Sequence, residues 1–96
     1  MVKGSFSLDA MVDTASPKLI EPLLAELVGE GSVEQGSHSR EFHVKAKLKG
    51  ESAKDLNRAL LSALRRVEKQ TRLRAQWTSP DGTTYRFFDY VLKKVA

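Results

Sequence analysis

Residues 41–70 read EFHVKAKLKGESAKDLNRALLSALRRVEKQ, and the spacing of the apolar positions changes halfway through. Up to Lys49 the period is two. Phe42, Val44, Ala46 and Leu48 alternate with Glu41, His43, Lys45, Lys47 and Lys49, which predicts a half-buried strand with a basic outer face. After Gly50 the period becomes helical: Ser52-Ala53-Lys54-Asp55 resembles a capping box, and Leu56, Leu60, Ala63, Leu64 and Val67 make an apolar stripe running to about Gln70. On that helix Lys54, Arg58, Arg65 and Lys69 fall within about 60° of one another, which predicts a basic ridge roughly opposite the stripe.

Working outward, residues 2–12 alternate as well, with Val2, Phe6, Leu8, Ala10 and Val12 on one face and Lys3, Ser5, Ser7, Asp9 and Met11 on the other. Ser16-Pro17 offers an N-cap followed by proline at the first helical position, and Leu19, Ile20, Leu23, Leu24, Leu27 and Val28 repeat at helical spacing until Gly29 and Gly31. Pro22 falls outside this stripe and is expected to bend the helix on its solvent side. Ser32 to Ser39 reads as a turn or hairpin loop, with at most a short strand around Val33. At the other end, Leu73 to Thr78 and Thr83 to Leu92 flank Ser79-Pro80-Asp81-Gly82, a hairpin with type I turn and glycine-bulge chemistry. Pairing Ser79 with Thr83 sets Trp77 opposite Tyr85 and Ala75 opposite Phe87, and gathers Arg72, Arg74, Gln76, Arg86, Phe88 and Tyr90 on the other face. The order of elements predicts one α+β domain over residues 1–96. Its expected form is a two-layer ferredoxin-like sandwich: four or five mainly antiparallel strands, two helices on one face, and a C-terminal β-hairpin.

Composition narrows the function classes. No apolar run approaches the roughly 18 residues of a membrane span, and residues 1–5 run into the alternating pattern without the apolar block of a secretory signal. With no cysteine there is no disulfide, thiolate metal site or cysteine nucleophile, so a reducing, cytoplasmic setting is expected. His38 and His43 are the two histidines, and neither sits in a metal-ligand pattern; the glycines form no phosphate-cradling loop. The reading is a non-catalytic module with no cofactor and no metal. Charge is lopsided: residues 1–39 hold two cations and six acids, residues 40–96 fourteen cations and six acids, giving nets of −4 and +8.

The basic surface is where a partner is expected. Lys45, Lys47, Arg72, Arg74 and Arg86, interleaved with Phe88 and Tyr90, make the mixture of cations and aromatic rings that single-stranded RNA favours, the rings stacking on bases while the cations hold the backbone. Two other readings of the aromatic pair stay open: core residues, or anchors of a homodimer or heteromeric protein interface, where aromatics and arginine are enriched. The ridge Lys54, Arg58, Arg65 and Lys69 either grips phosphates or solvates an outer helix face.

The strand ending Lys47-Leu48-Lys49, followed by Ser52-Ala53, Leu56-Asn57-Arg58 and Leu60-Leu61-Ser62-Ala63-Leu64-Arg65, resembles the last strand and helix of the small dimerising subunit of the KEOPS complex, which makes threonylcarbamoyladenosine in tRNA. The resemblance covers residues 1–70 in layout and, in motif, only about 52–66. It implies a non-enzymatic subunit that pairs through its sheet and helices and helps hold tRNA for a catalytic partner. The chain departs from that family in lacking the aromatic expected near Ala63 and in carrying the extra hairpin 71–96.

Overall fold

Alternating burial along one strand organises the molecule. In the computed structural model, which describes residues 4–29 and 31–95, Phe6, Leu8, Ala10 and Val12 of strand β1 (Gly4–Asp13) are buried while Ser5, Ser7, Asp9 and Asp13 are exposed. Val2 and Lys3, which the sequence pattern also assigns to this strand, lie outside the described residues. β1 pairs antiparallel with β3 (Glu41–Gly50) on one side and β4 (Arg72–Thr78) on the other. β2 (Ser32–Gln35) extends the sheet beyond β3, and β5 (Thr84–Phe88) and β6 (Val91–Val95) extend it beyond β4. The result is an open six-stranded sheet in the order β2-β3-β1-β4-β5-β6 with every pairing antiparallel.

Both helices, α1 (Pro17–Val28) and α2 (Ala53–Val67), cover the same face. Ile20, Leu24 and Val28 of α1 and Leu60, Leu61 and Leu64 of α2 share one core with Phe42, Val44, Leu73, Trp77 and Phe87 of the sheet. The register expected for the hairpin holds: Trp77 lies opposite Tyr85, Ala75 opposite Phe87, and the Ser79 N–H donates to the Thr83 carbonyl at 2.8 Å. Gly82 takes φ 89°, the left-handed conformation that the bulge turn requires. Gly31 is needed for a different reason, since a Cβ there would lie 2.4 Å from the Lys45 carbonyl oxygen.

Four sequence expectations are corrected. The four or five strands become six, because Ser32–Gln35 pairs with β3 and the expected strand Thr83 to Leu92 breaks at Asp89 and Tyr90 into β5 and β6. Ser16 does not cap α1 with its side chain; its hydroxyl donates instead to Glu68 Oε2 at 2.7 Å, which ties the start of α1 to the end of α2. α2 stops at Val67, so Lys69 is not on the helix. The buried face of α2 is also rotated away from the expected stripe. It centres on Asn57, Leu60, Leu61 and Leu64, leaves Val67 exposed, and at about 100° per residue puts Leu61 about 20° from Lys54 and about 40° from Arg65. The basic positions therefore flank the buried face and do not oppose it.

The rotation is explained by a polar group in the core. Asn57 is 1% exposed, and both ends of its amide are used: Oδ1 accepts from Trp77 Nε1 at 3.1 Å and Nδ2 donates to the Asp89 carbonyl at 2.7 Å. Among the described residues Asp89 is the one non-glycine residue with positive φ, at 56°. Its N–H donates to the Leu73 carbonyl at 2.7 Å and its Oδ1 accepts from the Leu73 N–H at 2.9 Å, so a side-chain oxygen stands in for a ladder carbonyl while the real carbonyl turns inward to Asn57. Asn57→Ala strands the indole N–H and the Asp89 carbonyl, each costing about 1–3 kcal/mol when buried without a partner. Urea unfolding followed by the fluorescence of Trp77 should show a loss of about 3 kcal/mol at unchanged slope. A loss below about 1 kcal/mol would mean that water replaces both bonds.

Candidate nucleic-acid interface

The strand period fixes which side chains occupy the face of the sheet opposite the helices, since every residue directly across from an exposed β1 position points the same way. Register sorts them into rows that cross the sheet. One row runs Glu34, His43, Met11, Arg74, Phe88, and the next runs Ser32, Lys45, Asp9, Gln76, Arg86. On one flank Lys47 lies opposite Ser7 and Lys49 opposite Ser5; at the other end Arg72 lies opposite Asp13. Lys45 and Arg86 stand three strand intervals apart, about 14 Å.

Lys45, Lys47, Lys49, Arg72, Arg74 and Arg86 are all exposed, and among the described residues none of them lies within ion-pair distance of a carboxylate. The central acid is already engaged, since Asp9 Oδ1 lies 2.6 Å from His43 Nε2. Phe88 is 40% exposed in the same row as Arg74, and with Met11, Asp13, Glu41 and Arg72 they line a small hollow of about 130 Å³. The strand reading of residues 41–49 holds at Phe42 and Val44, which are buried, and at Lys45 and Lys47, which are exposed, while Ala46 and Leu48, expected in the core, are half-buried and Glu41, expected outside, is buried.

Tyr90 is not on this face. The left-handed turn at Asp89 carries it around the sheet edge to α2, where its hydroxyl lies 3.2 Å from Ser62 Oγ and the Arg65 guanidinium sits 5.3 Å from the ring centroid. The expected pair of aromatics is split between two surfaces. The expected ridge is divided too. Arg65 is taken up internally, its Nε donating to the Thr71 carbonyl at 3.0 Å and a terminal nitrogen 3.4 Å from Asp89 Oδ1. Lys69 joins Arg40, Arg65 and Arg72 around a hollow at the end of the sheet, whereas Lys54 and Arg58 stay exposed on α2. Asn57 and Asp89, which set this arrangement, carry a weak signal in the sequence: an amide on the flank of an apolar helix stripe, and an aspartate interrupting a strand pattern between two aromatics.

Among the described residues no group of three or more histidine, aspartate or glutamate side chains is placed to hold a metal ion, and no helix is long and apolar enough to cross a membrane. Comparison with known proteins gives no match: no family model fits the chain, and no curated sequence or solved structure is significantly similar to it. The chain is thus defined by its architecture, an α+β protein with an antiparallel sheet whose uncovered face is basic and carries one exposed aromatic ring.

Glu41 is an exception to the outward alternation of β3, for it is largely buried at the strand's start. The Ser37 N–H donates to its Oε1 at 2.9 Å and holds the carboxyl below its ordinary value of 4.5, with His38 and Arg74 adding attraction and partial burial opposing. A carboxyl more acidic in the folded than in the unfolded chain contributes its full stability above the unfolded value and loses it as pH falls through the folded one. Glu41→Gln removes that contribution. Urea midpoints measured at successive pH values should therefore fall less steeply below pH 4.5 for the variant than for the parent. Parallel acid limbs would show that Glu41 is bound no more favourably in the fold than outside it.

Proposed function

We propose that the protein is a non-catalytic, cytoplasmic RNA-binding module, and that single-stranded RNA crosses the open face of its sheet. The observation that carries this reading is the uncovered face itself, which shares exposed cations at Lys45, Lys47, Arg72, Arg74 and Arg86 with the half-exposed ring of Phe88, Arg74 opposite the ring and the two lysines three strands away. A sheet that offers a stacking platform between cations suits unstacked bases on a flexible backbone, while a duplex would hide its bases from Phe88. The cytoplasmic setting is supported by the cysteine-free composition. The run β2-β3-β1-β4 with two crossover helices supports a ferredoxin-like reading of the first four strands, to which β5 and β6 add a C-terminal extension. An accessory place in an RNA-processing or tRNA-modifying assembly, which the resemblance of residues 52–66 implies, belongs to the same proposal.

One observation favours a second reading, a dimerisation or protein-interaction subunit without nucleic-acid contact. Phe88 and Val91 are 40% and 57% exposed and lie opposite each other on the open face at the β5–β6 end of the sheet, where an apolar patch suits a protein partner.

Titration with an oligouridine strand at several salt concentrations, beside the matching deoxyribonucleotide strand, separates the two. Neutralising Arg72, Arg74 and Arg86 to glutamine should flatten the slope of log affinity against log salt by about 0.7 for each phosphate no longer held. Phe88→Ala should weaken binding by about 1–3 kcal/mol per stacked base while the subunit count, read by light scattering, stays the same. An unchanged salt slope clears the arginines of phosphate binding. If Phe88→Ala instead releases monomers that bind RNA as the parent does, the interface reading replaces the first.

A further inference from the structure

The turn at Asp89 that removes Tyr90 from the sheet face builds a second hollow, on the helix layer. Lys54, Asn57, Arg58, Ser62 and Tyr90 line a depression of about 380 Å³, within the size range of small-ligand sites and large enough for one nucleotide unit. Among the described residues, no acidic side chain lines it. Lys54 and Arg58 stand one helical turn apart on α2, both exposed, and among the described residues neither is in an ion pair. The aromatic wall is fixed in place. The Arg65 guanidinium, anchored on Thr71 and Asp89, stacks against Tyr90, and the Tyr90 hydroxyl is hydrogen-bonded to Ser62. A ring so held costs little ordering on binding, and the cation against it leaves the remaining ring surface, 45% of the residue being exposed, as a platform for a flat base.

We propose that this hollow is a binding site for a nucleoside monophosphate group, with the base against Tyr90 and the phosphate between Lys54 and Arg58. The site is separate from the sheet face and stands whether or not that face binds RNA. The shared chemistry, a base carrying a phosphate, can come from a free nucleotide or from the 5′-phosphorylated end of a strand.

The chain carries its own reporter. The indole N–H of Trp77, the single tryptophan, donates to Asn57, which lines the hollow. In nitrogen-15 correlation spectra of the full chain, 5′-UMP should shift the amides of Arg58 and Ser62 and the Trp77 indole signal. Uridine and inorganic phosphate should each bind at least about tenfold more weakly than UMP, since either lacks one of the two recognised groups. The double variant Lys54→Gln, Arg58→Gln changes only exposed side chains and should weaken UMP about tenfold or more. Tyr90→Leu should lose the advantage of UMP over phosphate. An oligouridine gaining affinity from a 5′-phosphate identifies the ligand as a strand end, and one gaining nothing identifies it as the free nucleotide. UMP affinity unchanged in the double variant overturns the proposal. So does phosphate binding as tightly as UMP, or UMP shifts confined to Arg74, Arg86 and Phe88, an outcome that would leave the sheet-face reading intact.

Discussion

The hydrogen-bonded chain Trp77–Asn57–Asp89 is the constraint on which the arrangement of both surfaces depends. A buried indole N–H demands an acceptor, and a fully buried amide demands partners for its oxygen and its N–H groups. The fold satisfies both with one residue, and doing so fixes how α2 is rotated about its axis and how close β5 can run beside β4. The same chain makes the positive φ at Asp89 tolerable. A left-handed aspartate costs on the order of 1 kcal/mol, and here two bonds to the Leu73 backbone, one to Asn57 and an ion pair with Arg65 hold it.

From that single backbone conformation follows the division of the basic surface. Had β5 continued in register to Leu92, Phe88 and Tyr90 would have shared the open face two residues apart, and Arg65 would have had neither Asp89 nor the ring to bind. With the turn in place, the positive charge is partitioned into three groups: cations on the open face, Lys54 and Arg58 on the outer flank of α2, and Arg40, Arg65, Lys69 and Arg72 around the strand ends. Arg72 belongs to two of these groups, so the sheet face and the strand-end hollow meet there, with Asp13 beside it. The α2 hollow is set apart, because Arg65, the residue between them, is committed to Asp89, Thr71 and Tyr90.

How much of this could be read from the sequence depends on whether a feature is local. The β3 alternation, the Ser52 start of α2 and the Ser79–Thr83 hairpin each follow from period or turn chemistry within a dozen residues, and the structure bears them out. So does burial of Trp77 against α2, because it shares a strand face with Leu73 and Ala75. Apart from the earlier end of α2, which takes Lys69 off the helix, the failures are long-range. Nothing near Ser16 announces that its hydroxyl serves Glu68, 52 residues away, and not its own helix. The rotation of α2 escapes the hydropathy pattern because Asn57 scores as polar and Leu56 as apolar, although the partner that makes Asn57 an inside residue is 20 positions further on. The strand break at Asp89 is decided by that same asparagine, 32 positions back. One buried amide therefore displaces the ridge and the aromatic pair together.

The open face can remain uncovered because its exposed side chains gain nothing from burial. A third layer packed on it would have to desolvate its row of lysines and arginines with too few carboxylates to pair them, at a cost of several kcal/mol for each unpaired charge. That cost rises with the number of cations and falls only when a polyanion supplies compensating charge along the whole row. An apolar partner can lower it only at the β5–β6 margin, where Phe88 and Val91 are exposed on this face. Charge and apolar exposure thus divide the open face into two zones of different chemistry, and Phe88 stands on the boundary between them, in register with Arg74 on one side and Val91 on the other.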